Sequence, residues 1–504
     1  MRVQPEIMEE LNPCSPPQTP TEAPRAERTG WWSRPCGGRE VLAIALPLVV
    51  QTAFWSILWF VDRMFLTWHS ADEMAAALPA GMVFWTMIGL PQGVASFVNT
   101  FVAQYYGAGR HDRIGRAVKQ GIWFGWLVTP LFLLAIPLAP GIFRGIGATE
   151  QIAGLEALYF QTLALGAGGL VISAAMSSFY TGRGLTRVVM LVDVAGTLVN
   201  IFLDWVLIFG KFGFPELGIA GAGIATAIAN WSLVLIYWLL MRRSPDRQKF
   251  GLAVNIIDWG LLKRLLRYGV PSGLPMLVEA LAFTFLMKQI TSIGRAEAAA
   301  TSLALTVNSV AFVPLIGLSI AVSTLVGQKL GENKPDLAAR ATWTALTLGL
   351  AYTAIFAALY LGLPGWFLVA HEAQADPKAF VPIRELTLVL LHFVALYCLF
   401  DALQIVFVGA LKGAGDTRFI LLNTLTVSTI ALLTGNWCAG HFQWAKHGWQ
   451  LWGWWWVFTG WIFTLGVVYL ARFLQGRWRT MRVIEPDVAL EDASAEPVLE
   501  SVCG

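Results

Sequence analysis

Twelve apolar runs, each long enough to cross a lipid bilayer, leave this chain few choices of fold. They fall at about 41–66, 76–105, 118–139, 156–180, 188–210, 218–241, 266–293, 298–327, 340–363, 383–411, 418–439 and 449–474. A hydrocarbon core of ~30 Å takes about 20 apolar residues per helix. Only 13% of the residues are charged, against about 25% in soluble domains, and they are confined to short stretches between the runs. The reading is an all-α integral membrane protein with twelve transmembrane helices. Breakers inside the runs (Pro47, Gly89 with Pro91, Pro130, Pro271 with Pro275, Pro314) are tolerated where neighbouring groups or water satisfy the freed backbone.

Lys and Arg placement predicts the orientation. Arg25, Arg28, Arg34 and Arg39 precede the first run, and Arg110, Arg113, Arg116 and Lys119 follow the second. Arg242, Arg243, Arg247, Lys249, Lys263, Arg264 and Arg267 lie between the sixth and seventh. The alternate loops hold only Arg144, Lys211, Arg295, Lys378, Arg384 and Lys446. By the positive-inside rule both termini and the central loop are cytoplasmic, in a cell inner membrane. Residues 1–39 are polar and proline-rich, without a short apolar core and cleavage site, and read as a disordered cytoplasmic tail. The stretch 476–504 reads as a second tail. The five cysteines are scattered and form no CxxC pair, which argues against a metal site or a disulfide framework.

The chain repeats itself. Gln104-Tyr-Tyr-Gly107 with Asp112, Arg116 and Ala117 recurs as Gln328-Lys-Leu-Gly331 with Asp336, Arg340 and Ala341, and Pro47 recurs as Pro271, all at one offset. Gly182-Arg-Gly184 with Thr186-Arg187 recurs as Gly413-Ala-Gly415 with Thr417-Arg418. Each half therefore has six spans starting on the same side. This predicts two parallel-repeat lobes, 40–241 and 266–475, joined by a cytoplasmic loop at 242–265. Transporters place their sites at such repeat interfaces.

An ionisable group within a span costs roughly 2.5–3.5 kcal/mol of insertion free energy. Asp62, Asp204, Glu279 and Asp401 all lie within spans, and no intramembrane Lys or Arg is in evidence to offset them. Asn200 and Asp204 are i,i+4 and share a helix face, with Asp62 and Thr226 at comparable depth. Their oxygens suit a proton or a hard cation such as Na⁺. In the second half Tyr397 and Asp401 are again i,i+4, Gln404 follows one turn on, and Glu279 lies at similar depth. Two carboxylates and a tyrosine favour organic or inorganic cations. The clusters are not repeat images, because Ala431 and Gly435 stand where the repeat would put Asn200 and Asp204. Pro47 is the expected hinge of the first helix. The tryptophans of the last run (Trp449, Trp452, Trp454, Trp455, Trp456, Trp461) read as an interfacial belt.

FVDR at 60–63, AQYYGAG at 103–109, NIFLD at 200–204, GVPSGLPMLVEALAF at 269–283 and YCLFDALQIVFVGALKGAGDTR at 397–418 resemble the multidrug and toxic compound extrusion (MATE) family over about residues 40–474. The resemblance implies an antiporter that exports drugs against inward H⁺ or Na⁺, with no cofactor beyond that ion. It implies that Glu279, Tyr397 and Asp401 match the C-lobe cation and substrate residues of NorM-type members. Asp62, Asn200, Asp204 and Thr226 match the N-lobe ion site of DinF-type members. Arg63 departs from the common FVDT pattern. The expected partners are small cationic or amphiphilic organic substrates and membrane lipids, not nucleic acid, with the chain a monomer.

Two other functions compete. A lipid-linked oligosaccharide flippase would need a cationic groove for pyrophosphate, and few basic groups lie within the spans. An intramembrane enzyme needs clustered His, Cys or Ser-based dyads. His371-Glu372 begins an HExxH pattern, but Ala375 ends it, and His392 is lone and reads as a core residue. The Gly221 and Gly223 pair follows no strand, and Gly121-xxx-Gly125 is a weak packing signal.

Overall fold

The computed structural model describes residues 30–146, 150–253, 257–369 and 377–485. Twelve helices among them are long and apolar enough to cross a membrane. They are α1 (Gly38–His69), α2 (Ala71–Gly107), α3 (His111–Ala135), α4 (Glu150–Thr181), α5 (Thr186–Ile208) and α6 (Ile219–Arg243). The second six are α7 (Trp259–Thr291), α8 (Arg295–Gly331), α9 (Pro335–Gly362), α10 (Phe380–Ala414), α11 (Thr417–His441) and α12 (Gln450–Leu474). The chain is an all-helical, multi-pass membrane protein. Each apolar run corresponds to one helix, and polar turns extend several of them. Thus α7 begins at Trp259 rather than 266, capped by Asp258, whose Oδ1 accepts from Leu261 N at 3.0 Å.

Two large cores form, and each borrows a helix end from the other half. The core built mostly from α8–α12 also contains Cys36, Val41, Ala45 and Leu48. The core built from α2–α6 also contains Leu261, Leu262 and Leu265 of α7. Val41 and Leu265 are equivalent positions of the repeat, so the two halves brace each other symmetrically on the side that carries the termini.

The repeated motifs lie at that brace. Gln104 Nε2 donates to Gly413 O at 2.9 Å, and its repeat mate Gln328 Nε2 donates to Gly182 O at 2.8 Å. Gly413 and Gly182 are themselves repeat mates. Gly107 and Gly331 let the helices of this crossing touch: a Cβ on Gly107 would collide with the Gln328 carbonyl, and one on Gly331 with the Gln104 carbonyl. One helix turn deeper, Asn99 Nδ2 donates to Thr324 Oγ1 at 3.0 Å. On the terminal side the two halves are closed against each other.

Residues 30–39 and 476–485, placed in the tails by sequence, pack on this closed face. Cys36 is fully buried, and its carbonyl accepts from Thr344 Oγ1 at 3.0 Å. Trp478 and Val483 are buried, and Val483 N donates to Gln104 Oε1 at 2.8 Å. Glu485 Oε1 pairs with Arg264 at 2.7 Å, and its Oε2 accepts from Tyr105 Oη at 2.7 Å. Short polar segments of this kind read as tail because a few buried contacts leave no trace in hydropathy.

The belt reading of the α12 tryptophans needs correction. Trp449 and Trp456 are exposed, but Trp454, Trp455 and Trp461 are buried. Trp455 Nε1 donates to Thr301 Oγ1 at 3.2 Å and Trp461 Nε1 to Ser428 Oγ at 3.1 Å, so their polar ends are satisfied inside the protein. His392 is exposed rather than in the core, its Nδ1 against Leu388 O at 2.9 Å. His371 and Glu372 lie outside the described residues. Gly121 and Gly125 do mark a contact, since added Cβ atoms there would meet Ala175 and Ile172 of α4.

Candidate functional site

α1 and α5 both run away from the terminal side, and their polar residues meet in register. Asp62 pairs with Asp204 across this seam and Gln51 with Asp193, and both pairs have the same separation in sequence. Eleven residues separate the two layers on each helix, three turns or about 16 Å. The result is a distal layer, far from the termini, and a proximal layer beneath it.

The distal layer holds the four N-lobe residues expected from sequence. Asp204 is fully buried and Asn200 nearly so. With its amide oxygen turned toward the available donors, Asn200 donates to Asp204 Oδ2 at 2.9 Å. It then accepts from Thr226 N at 3.1 Å and from Thr226 Oγ1 at 3.3 Å. Tyr159 of α4, which the sequence reading missed, donates to Asp62 Oδ2 at 3.2 Å. Asp62 Oδ1 and Asp204 Oδ1 are buried with no donor among the described residues, and the two carboxylates are close enough to repel each other. Arg63 is exposed and forms no ion pair with Asp62 among the described residues. The 100° between successive side chains sends it off the seam.

The proximal layer was not anticipated. Asp193 Oδ1 accepts from Tyr237 Oη of α6 at 3.2 Å, and its Oδ2 accepts from Gln51 Nε2. Tyr180 of α4 stacks on Tyr237 with ring centroids 5.9 Å apart. A sequence signal was present: Asp193, Thr197, Asn200 and Asp204 follow i, i+4, i+7, i+11, a continuous polar stripe on one face of α5. Pro47 lies one turn before Gln51, inside an otherwise continuous helix.

The C-lobe residues also come together. Tyr397 is fully buried and Asp401 is 5% exposed, one turn apart on α10, with Gln404 on the following turn. The Tyr397 hydroxyl has no partner among the described residues. Glu279 of α7 is within electrostatic reach of Asp401, and no described residue hydrogen-bonds either carboxylate. No described basic group forms an ion pair with these acids, but one lies within electrostatic reach of Glu279. Lys412, one residue past the apolar run, continues α10 toward the terminal side and acts on Glu279. Among the described residues no group of three or more His, Cys, Asp or Glu could hold a metal ion.

The family model MatE matches residues 47–206 and 271–437, both halves from their proline onward and all three carboxylate groups. The chain belongs to the MATE family of transporters. Such a chain is not an enzyme, so the alternative of an intramembrane enzyme is overturned. This MATE transporter is 28% identical over 408 residues to the multidrug resistance protein MdtK of Yersinia enterocolitica, covering 80% of this chain and 87% of that one. The MdtK of Yersinia pseudotuberculosis matches over the same shares. The fold of this chain is that of a multidrug resistance MATE family transporter solved in an outward-facing conformation (TM-score 0.79, 19% identity, 90% of this chain and 99% of that one). The eukaryotic MATE transporter AtDTX14 shares it too (TM-score 0.76, 22% identity, 88% and 96%).

Proposed function

We propose that this MATE transporter exports small cationic or amphiphilic organic compounds in exchange for inward H⁺ or Na⁺, from a bacterial-type inner membrane with both termini cytoplasmic. The observation that carries the substrate class is the C-lobe group. Glu279 and Asp401 approach each other with no hydrogen bond from the described residues, beside a tyrosine hydroxyl that lacks a partner. Buried polar groups are ordinarily satisfied, and acids left open inside a membrane protein mark ion or substrate paths. A cation with an apolar body meets both needs of such a pocket, and a proton or Na⁺ competes for the same oxygens. The MdtK relatives, multidrug resistance proteins by name, support this reading.

The distal N-lobe layer is the coupling-ion site in this reading. Its two unpartnered carboxylate oxygens repel until a proton or a hard cation arrives. The closed terminal face is one end state of a rocking motion between the halves, in which the C-lobe pocket opens to the outside. Asp401→Asn and Glu279→Gln should each abolish drug uptake into everted vesicles, the direction of export, while expression stays near wild type, with ΔpH and a Na⁺ gradient imposed separately. Full transport by the double variant rules out the substrate assignment.

A further inference from the structure

We propose that Asp193, held by Gln51 and Tyr237, is a second station for the coupling ion, between the distal layer and the terminal side. This rests on the ion-coupled reading above and extends it to a site with no assigned role. Asp193 is a carboxylate within a membrane span, and every donor that reaches it is neutral: Tyr237 Oη at 3.2 Å and Gln51 Nε2. The groups facing it are Tyr237 from α6, Tyr180 behind that ring, and Gln51 from α1. No cation among the described residues pairs with it.

A second observation points to a ligand. Gln51 is 7% exposed, and its Oε1 is buried with no donor, although its amide nitrogen is used. The layer is one donor short. A proton on Asp193 would supply an O–H, and Na⁺ would supply a positive centre for the same oxygens. Asp193 itself is partly exposed.

The placement fits a relay. Asp193 lies three turns below Asp204 on the same face of α5, and the buried Thr197 and Asn200 continue the polar stripe between them. Gln51 likewise lies three turns below Asp62 on α1. In the proton case, an O–H bond on a distal carboxyl breaks and one on Asp193 forms, and the proton then passes to water on the terminal side. No electrons are exchanged and the net charge of the two layers is conserved in the transfer. Because Pro47 is one turn below Gln51, a bend there moves Gln51 little and Asp62 much more. The proximal station stays put while the distal one opens and closes.

The test uses full-length protein in proteoliposomes, with ethidium as the probe cation and ΔpH or a Na⁺ gradient applied in separate arms. Asp193→Asn should keep ethidium affinity within about twofold but lower gradient-driven exchange by about a hundredfold or more, the low end of what losing a positioned proton-transfer group costs. Asp193→Glu, which keeps the carboxylate, should recover most of it. The arm that drives wild-type exchange identifies the ion. If wild-type exchange responds to neither gradient, ion coupling and the station fall together. If wild type is coupled and Asp193→Asn exchanges equally well, the station alone is overturned. Loss of ethidium binding in both variants would show that Asp193 only holds the helices together, which also overturns it.

Discussion

Cys36 shows how much a single residue's surroundings decide. Burial and the neighbouring Glu40 push its thiol up to about 11, and its backbone N–H donates to Glu40 Oε2 at 2.7 Å. Thiolate is the reactive form, so at pH 8 the protein should present about a hundredfold less of it here than at a free cysteine. A variant with Cys36 as its only cysteine should react with maleimide slowly at pH 8 and much faster above about pH 10. A rate at pH 8 equal to that of the denatured chain would contradict the burial. At this scale the sequence was informative wherever chemistry repeats along one helix. Asn200 with Asp204, and Tyr397 with Asp401, were found by their i,i+4 spacing. Asp193 continues the same stripe on α5, but its partners Gln51 and Tyr237 lie on other helices, so spacing alone could not show the layer it forms. Lys412 was missed because the apolar run stops at 411 while the helix continues to Ala414.

At the scale of elements, hydropathy located all twelve helices because lipid requires long apolar runs. It could not say which face of a helix meets lipid and which meets protein, since these helices are apolar on most sides, and so the buried tryptophans of α12 were read as a belt. Pro47 is legible in both respects. It recurs as Pro271, and it lies inside a helix where a proline removes one hydrogen bond and crowds the carbonyl four residues back, here that of Ala43. Pro47→Ala should restore that bond and favour a straight α1 by up to about 3 kcal/mol of local helix stability. If bending at Pro47 moves Asp62 against Asp204, drug affinity in detergent should change little while gradient-driven efflux falls several-fold. The pair of measurements separates a hinge from a packing residue, because a packing defect would lower both affinity and thermal stability.

For the whole molecule, the repeat is what closes the terminal face, and the C-terminal segment locks it. The twofold exchange of Gln104 and Gln328 bonds explains why these motifs recur while the acidic clusters do not: closure needs both halves alike, whereas the chemistry differs between them. Residues 476–485 then cross the seam. They contact Gln104, Tyr105 and Arg110 of the first half, and Arg264, Asn333 and Asp336 of the second. Under the rocking proposed above, the face opens only if this segment leaves one half. Burial alone would raise the Glu485 carboxyl, but the Tyr105 hydroxyl and the Arg264 and Arg113 charges outweigh it and hold it below the usual carboxylate range. A depressed value means that docking gains from the ionised form at neutral pH and loses that gain as pH falls through the lowered value. Glu485→Ala removes the ion pair and leaves the Tyr105 hydroxyl without its acceptor, which should weaken docking by about 1–3 kcal/mol. Arg477, Arg479 and Arg482 lie within the segment and make trypsin the natural probe. Cleavage tracks the population of the undocked state when docking is fast. The variant should therefore be nicked at these arginines about 5- to 150-fold faster than wild type. High salt should narrow the gap, because the paired charges are partly exposed. Equal cleavage of the two proteins would mean that the buried Trp478 and Val483 and the bonds to Gln104, Asn333 and Asp336 suffice to hold the segment, and that Glu485 takes no part in keeping the face closed.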